Sequence, residues 1–297
     1  MPSAGDPRTN RDTLFVEAAR IINVEKLPGE QFAIRLAAPK TAATASPGTF
    51  VHIQCDDMIM MRRPLSIMRA NSTHGWIEVL YKILGTGLKA LTEKKPGEII
   101  SSIGPIGKGF TPNPQRPKSL LIGGGVGIPP MIFLAEYLKD DNRDWDPLMI
   151  MGSEIPFPFI LEESKIPTPW LAENMMNTMP LMEKWLIPTR LASLNNFDGT
   201  YRGFVTGLAN QYIESLAREE REKVEIFACG PTAMLKAVAK LAEKFNLPCQ
   251  ISLEEFMACA VGGCAGCTVL THNEQGTAMK RVCVDGPVFN AKEIFAD

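Results

Sequence analysis

Four cysteines near the end of the chain, Cys259, Cys264, Cys267 and Cys283, stand at C-x4-C-x2-C-x15-C spacing. The opening steps of that pattern are those with which plant-type proteins hold a [2Fe–2S] cluster through four thiolates. Gly262, Gly263 and Gly266 lie between the ligands, where a loop has to bring its backbone close to inorganic sulfide and a side chain would obstruct it. Other uses of four cysteines carry other signatures. Structural zinc more naturally takes two separated C-x2-C pairs or a mixture with His. A disulfide framework suits a small secreted domain, and four buried, unligated thiols are a further reading. The clustering and spacing favour iron and sulfur.

Four other stretches carry residue types that can grip phosphate or line a dinucleotide site. In Arg62-Arg63-Pro64-Leu65-Ser66-Ile67, a guanidinium beside a strand, followed by a hydroxyl, matches the oxygens of a diphosphate. Leu80-Tyr81-Lys82-Ile83-Leu84-Gly85-Thr86-Gly87-Leu88 runs from an aromatic strand into a Gly-x-Gly turn whose amides can receive an anion. Taken singly, the first reads equally as a surface basic pair and the second as a plain hairpin leading to a helix. Leu120-Leu121-Ile122-Gly123-Gly124-Gly125-Val126-Gly127-Ile128-Pro129-Pro130-Met131 reads as a buried parallel strand, a glycine-rich turn and a helix. Such a turn admits a pyrophosphate to the helix N-terminus, although the run is not G-x-G-x-x-G. A second strand, turn and helix spans residues 224–235, with Cys229-Gly230-Pro231 at the turn. No His stands near Cys229 in sequence, so it reads as a packing thiol and not as an activated nucleophile. After the strand 148–152, Ser153-Glu154 offers no Arg to hold a 2′-phosphate, which favours NAD over NADP.

These candidates need scaffolds of different kinds. Residues 14–112 are short strand patterns separated by turns such as Leu27-Pro28-Gly29-Glu30 and predict a β-barrel. Residues 113–248 alternate strand and helix patterns, as a Rossmann-like parallel α/β domain does. Residues 249–297 hold the cysteine loop and a strand pair, 268–271 with 280–284, that brings Cys283 beside the first three. The expected fold is therefore multidomain, α/β plus β. Between about 152 and 196 the middle unit departs from this pattern, with Pro156, Pro158, Pro167, Pro169, Pro180 and Pro188. Met175, Met179 and Met182 share a helical face that Pro180 should split. This insertion reads as a flap packed on its own domain or, since Met-rich faces adapt to varied contacts, as a docking or lid surface.

Composition narrows the classes. With 297 residues, 45% hydrophobic and 22% charged, the chain is an ordinary soluble protein of two or three domains. A formal charge of −2 gives no electrostatic case for nucleic acid or anionic membranes. The most apolar stretch, 120–138, is broken by glycines and prolines and does not read as a membrane span. The N-terminal residues 1–13 are polar and seven is an odd number of cysteines, so a cytoplasmic, reducing compartment is expected.

In this order, the arginine–serine strand, the Gly-x-Gly turn, G-G-G-x-G-I-x-P-M and A-C-G-P-x-x-M-L resemble the ferredoxin–NAD(P) reductase superfamily. S-L-E-E-x-M-A-C-x-x-G-x-C-x-G-C followed by R-V-C-x-D-G-P-V-F is similar to the electron-transfer subunits of NAD-dependent class 1B dihydroorotate dehydrogenases. Related flavin subunits that serve ferredoxin or sulfide often place Asp where Cys259 stands, and the all-Cys set favours the dihydroorotate branch. The resemblance implies FAD at Arg63, Pro64, Leu65, Ser66, Leu80, Tyr81, Lys82, Gly87 and Leu88. It implies NAD at Gly124, Gly125, Gly127, Cys229, Gly230 and Pro231, and a [2Fe–2S] cluster on the four cysteines. It also implies a role in pyrimidine biosynthesis, an FMN-containing catalytic subunit as partner in a heterotetramer, and no catalytic residue for dihydroorotate in this chain. Two features depart from the family: Leu88 takes the place of a Thr of the expected diphosphate grip, and the insertion is atypical. A self-contained NAD(P)H reductase serving an oxygenase, a ferredoxin or a sulfide-linked partner, and a zinc-stabilised interaction module, are the other readings.

Overall fold

The computed structural model describes residues 13–172, 174–195 and 197–295. Residues 1–12, on which the expectation of no secretory signal rests, lie outside them, as do Glu173 and Asn196 of the insertion. Strands β1 (Phe15–Leu27), β2 (Gln31–Ala37), β3 (Phe50–Ile53), β4 (Arg63–Asn71), β5 (Trp76–Lys82) and β6 (Ile99–Ile106) close an antiparallel barrel in the order β1-β2-β5-β4-β3-β6. Helix α1 (Pro39–Thr44) precedes β3, and α2 (Gly85–Glu93) follows β5. Side chains alternate across each strand. Ile77, Val79 and Tyr81 of β5 therefore enter the barrel core, while Leu80 and, on β4, Met68 join a cluster with Ile128 and Met131 of the next domain.

That domain is built on β7 (Lys118–Gly124), α3 (Ile128–Asp140) and β8 (Leu148–Gly152). Then come the short β9 (Glu162–Glu163), β10 (Asn177–Thr178) and α4 (Pro180–Lys184) of the insertion. It continues through β11 (Thr189–Ser193), β12 (Tyr201–Arg202), α5 (Val205–Ser215), α6 (Arg218–Arg221), β13 (Val224–Cys229), α7 (Thr232–Lys244) and β14 (Cys249–Ser252). The near-continuous burial of β7, β11 and β13 is what a parallel sheet covered on both faces requires. After the hairpin β15 (Thr268–Asn273) and β16 (Gly276–Arg281), β17 (Val288–Asn290) returns to pair antiparallel with β14, and α8 (Ala291–Ile294) ends the described chain. The sheet order is β12-β11-β8-β7-β13-β14-β17, so chain direction across the sheet reverses between β7 and β13. The segment 249–297 thus divides between this sheet, to which it gives β14 and β17, and the cysteine loop. Among the described residues no helix is long and apolar enough to cross a membrane.

The sheet reclaims the ends of the stretch 152–196, since Gly152 closes β8 and Thr189–Ser193 form β11 beside it, so the insertion proper is 153–188, and it packs on its own chain. Pro180 stands in the first turn of α4, where its missing N–H is not needed, so Met175 and Met179 lie outside the helix and only Met182 is on it. Met182 is fully buried, and Met179, Leu181 and Trp185 pack around the same cluster that joins sheet and barrel. Arg190 of β11, wholly buried, donates to Thr168 Oγ1 (3.0 Å) and to the carbonyls of Ile166 (2.6 Å) and Thr189 (2.6 Å). It thereby ties the insertion to the sheet.

Candidate functional site

The Gly-x-Gly turn and the arginine strand, apart in sequence, meet at the mouth of the barrel. A Cβ placed on Gly87 would lie 3.0 Å from both Cζ and Nη2 of Arg63, so the guanidinium rests against the first turn of α2. Among the described residues no side chain caps that helix, and none comes within 4 Å of a Cβ built on Gly85. Uncapped N–H groups and an adjacent guanidinium form a cradle for a doubly charged phosphate group. Arg63 donates only to nearby backbone, the carbonyls of Met61 (2.7 Å) and Arg62 (3.2 Å), among the described residues. Arg62 is spent on the barrel: it donates to the carbonyls of His52 (3.3 Å) and Ser101 (2.9 Å) and to Ser101 Oγ (2.8 Å).

The neighbouring candidates divide by strand face. Pro64 and Ser66 pair with His52 and Phe50 on one face of β4, and Leu65 points into the barrel. The ring of Tyr81 also turns inward and stacks on Phe32, with centroids 5.8 Å apart; its buried hydroxyl has no partner among the described residues, and burial raises its pKa. Only the backbone of Tyr81 is left to face a ligand. Lys82 is exposed, and Leu88 is buried in the barrel cluster. Leu88 therefore anchors α2 from below, on the side away from the cradle.

A second crevice opens at the carboxyl ends of β7 and β13, where the sheet reverses its strand order. Topological switch points of this kind are where open α/β sheets bind ligands. Gly123 and Cys229 are register partners, and a Cβ on Gly127 would fall 2.1 Å from the Cys229 carbonyl oxygen. Both predicted turns are thus in contact, and only glycine fits at 127. Gly125 has φ +54° with nothing within 4 Å of a Cβ, so backbone there faces free volume. Gly124 and Gly230 both pack on Met234, and Pro231 precedes α7. Burial, the Glu254 charge next, pushes the Cys229 thiol up, outweighing a hydrogen bond shared with Ser252. Cys229 is a neutral packing thiol.

Glu254 is the residue that sequence reasoning missed here. It follows β14, whose last residue, Ser252, pairs with Cys229. Its carboxylate stays open to solvent yet surrounded enough that desolvation raises its pKa, as on the wall of a crevice. The available signal was a carboxylate two residues beyond the strand beside Cys229.

The four cysteines come together on a loop welded to the same sheet. Ala260, Cys267, Val282 and Cys283 belong to the core cluster under β13 and β14. Arg281 ties the loop, donating through Nη1 to the Gly262 carbonyl (2.9 Å), while its N–H donates to Asp285 (2.8 Å). Those contacts account for the R-V-C-x-D run. Desolvation pushes the Cys259 thiol up, but N–H groups of Val261, Cys264 and Gly263 outweigh it and bring the thiol down to about 7. Burial, then the Cys267 side chain, pushes Cys283 up to about 12. Cys259 interacts with Cys264, and Cys283 with Cys267 and, more weakly, with Cys259. Among the described residues no three ligating side chains gather at one metal position. Four cysteine thiols, the first three four and two residues apart, are the donor set that a [2Fe–2S] cluster takes.

Comparison with known proteins decides the family. Residues 254–295 match the model of the iron–sulfur cluster binding domain of dihydroorotate dehydrogenase B. The electron transfer subunit of dihydroorotate dehydrogenase B (NAD(+)) from Caldanaerobacter subterraneus is 32% identical over 249 residues, covering 84% of this chain and 86% of its own. The Listeria innocua subunit is 33% identical, covering 85% and 88%. The chain belongs to this electron transfer subunit family. Fold likeness extends further: the NADH-dependent reduced ferredoxin-NADP oxidoreductase structure superposes with a TM-score of 0.75 at 23% identity, covering 94% of this chain and 90% of that one. Phthalate dioxygenase reductase, described as passing electrons from pyridine nucleotides to [2Fe-2S], gives 0.57 at 12% identity, covering 91% and 77%. The barrel followed by the parallel sheet is the shared architecture.

Proposed function

We propose that this chain receives electrons released by dihydroorotate oxidation on a separate, FMN-containing catalytic subunit and delivers them to NAD. In this reading residues 14–112 hold FAD, 113–248 hold NAD, 249–297 hold a [2Fe–2S] cluster, and the two subunits form a heterotetramer. The observation that carries it is the common scaffold: the cysteine loop and the switch-point crevice lie on one sheet, with the barrel cradle docked against it through Met68 and Leu80. When bound, a flavin exchanges electrons singly with an iron–sulfur cluster and in pairs with a nicotinamide.

The chain's residues supply position and charge. Arg63 and the first amides of α2 neutralise the flavin diphosphate, with Gly87 leaving room for the guanidinium. Pro64, Leu65, Ser66, Leu80, Tyr81 and Lys82 contribute the strand surface beside it, and Leu88 fixes the helix. Gly124, Gly125 and Gly127 admit the NAD pyrophosphate to the start of α3. Cys229, Gly230 and Pro231 shape the nicotinamide pocket without a charged thiol. Cys259, Cys264, Cys267 and Cys283 hold the cluster. No residue here serves as base for dihydroorotate.

The test is reconstitution with the catalytic subunit and measurement of orotate formation coupled to NAD reduction. Stoichiometric coupling, with flavin and iron–sulfur absorbance in the purified chain, is the expected result. A colourless chain carrying zinc, or orotate formation that proceeds at the same rate without this subunit, would sink the proposal.

A further inference from the structure

Strand β4 has a direction, and that direction says where the two halves of a flavin dinucleotide go. It starts at Arg63 in the diphosphate cradle, reaches Ser66 three residues on, and at Met68 enters the cluster shared with Ile128 and Met131 of the nucleotide domain. At about 3.3 Å per residue, Met68 lies roughly 16 Å from Arg63 towards that domain. A flavin ring that meets the nicotinamide crevice lies on this side of the cradle. Whatever is attached beyond the diphosphate must run the other way, past the start of β4.

Before the start of β4 stands a built loop with apolar side chains turned outward. Asp56 closes it, accepting from the N–H of Met58 (3.0 Å) and, through its carbonyl, from that of Ile59 (3.1 Å). The Asp56 carboxylate is tied to Lys94 just past α2 (3.1 Å), and Arg63 itself donates to the Met61 carbonyl (2.7 Å). Backbone order is thus fixed from both sides, yet Met58 is 89% exposed, Met60 87% and, across the cradle at the foot of α2, Leu84 77%. Large apolar side chains held exposed on an ordered backbone beside a phosphate cradle point to a binding surface. Thioethers favour aromatic rings, and the guanidinium that fixes this loop is the one facing α2.

We propose that Met58, Met60 and Leu84 seat the adenine of the dinucleotide, so that this loop makes the barrel selective for FAD over FMN. The proposal rests on the flavin-site reading above, and the experiment separates the two. The full-length apoprotein is titrated with FAD and, separately, FMN, following the quenching of flavin fluorescence. Three forms are compared: the native chain, the double variant Met58→Ser/Met60→Ser, and Arg63→Ala. The expected result is about a tenfold loss of FAD affinity in the double variant with FMN affinity unchanged, while Arg63→Ala weakens both flavins. An unchanged FAD-to-FMN ratio in the double variant overturns the adenine seat, whether or not the same variant loses self-association or binding to the catalytic subunit. If Arg63→Ala leaves both affinities intact, the cradle itself is misassigned. Both methionines are solvent-facing, and circular dichroism of the variant checks that the barrel is folded.

Discussion

Arg62 and Arg63 are adjacent and chemically identical, yet the barrel consumes one and leaves the other facing the α2 N-terminus. Replacing them should therefore fail differently. Arg62→Ala strands the Ser101 and His52 contacts and should cost about 2 kcal/mol of stability, read as a lower urea midpoint, with little change in flavin affinity. Arg63→Ala should leave the midpoint near native and weaken flavin binding roughly 10- to 100-fold. The opposite assignment of losses would show that Arg62 holds the phosphates. His52 gives a pH test. Burial, then the charge of Arg62, lowers its pKa from 6.5 to about 4, and neither ring nitrogen has a partner among the described residues. Between those values the unfolded chain binds a proton that the folded one excludes, so stability falls with acidification through this window. The loss is about 3 kcal/mol across it, and the contribution is level above pH 6.5. His52→Gln should flatten that part of the midpoint-against-pH curve; an unchanged slope would assign it elsewhere. The distinction between the two arginines was not legible in sequence, because it depends on Ser101, 39 residues away. The inward turn of Tyr81 was legible in principle, from the alternation Ile77, Val79, Tyr81.

At the scale of elements, local turn chemistry read well and long-range packing did not. The glycine turns at 123–127 and 229–231 are fixed by close backbone approach, which only glycine allows, so their composition carries their geometry. The insertion carries no such signal: its strands are two residues long and its helix five, and its place is set by contacts with remote residues. Trp185 is the main one. Its ring lies 5.3 Å from the guanidinium of Arg69 on β4 and 5.8 Å from the ammonium of Lys139 on α3. Arg69 is itself ion-paired with Glu136 of α3. A second tether joins the Gln31 amide to the Pro156 carbonyl (2.9 Å). The insertion therefore spans barrel and nucleotide domain at two points and covers the ion pair between them. Trp185→Ala should cost about 2 kcal/mol and expose residues 155–186 to limited proteolysis, with cofactor content retained. If the variant were as stable and protease-resistant as the native chain but failed to bind a catalytic subunit, the segment would be a docking surface instead.

For the whole molecule, the cysteine loop and the switch-point crevice stand on one sheet. The loop's anchoring is uneven. Cys267 and Cys283 lie in the sheet core, whereas Cys264 is exposed. Removing a core thiol disturbs packing as well as ligation; removing Cys264 disturbs ligation alone. Cys264→Ser should therefore abolish the iron–sulfur absorbance and stop orotate-coupled NAD reduction in the reconstituted pair. Reduction of a small two-electron dye by NADH needs only the barrel and the crevice, and should stay within roughly twofold of native, since sites without shared partners act independently. Cys283→Ser should lose both activities to some degree and lower the unfolding midpoint, because its side chain is part of the core under β13 and β14. Loss of the dye activity in Cys264→Ser, in a protein that keeps its flavin and its native midpoint, would mean that the cluster lies on the path between flavin and nicotinamide. The order of the relay inferred from this sheet would then be wrong.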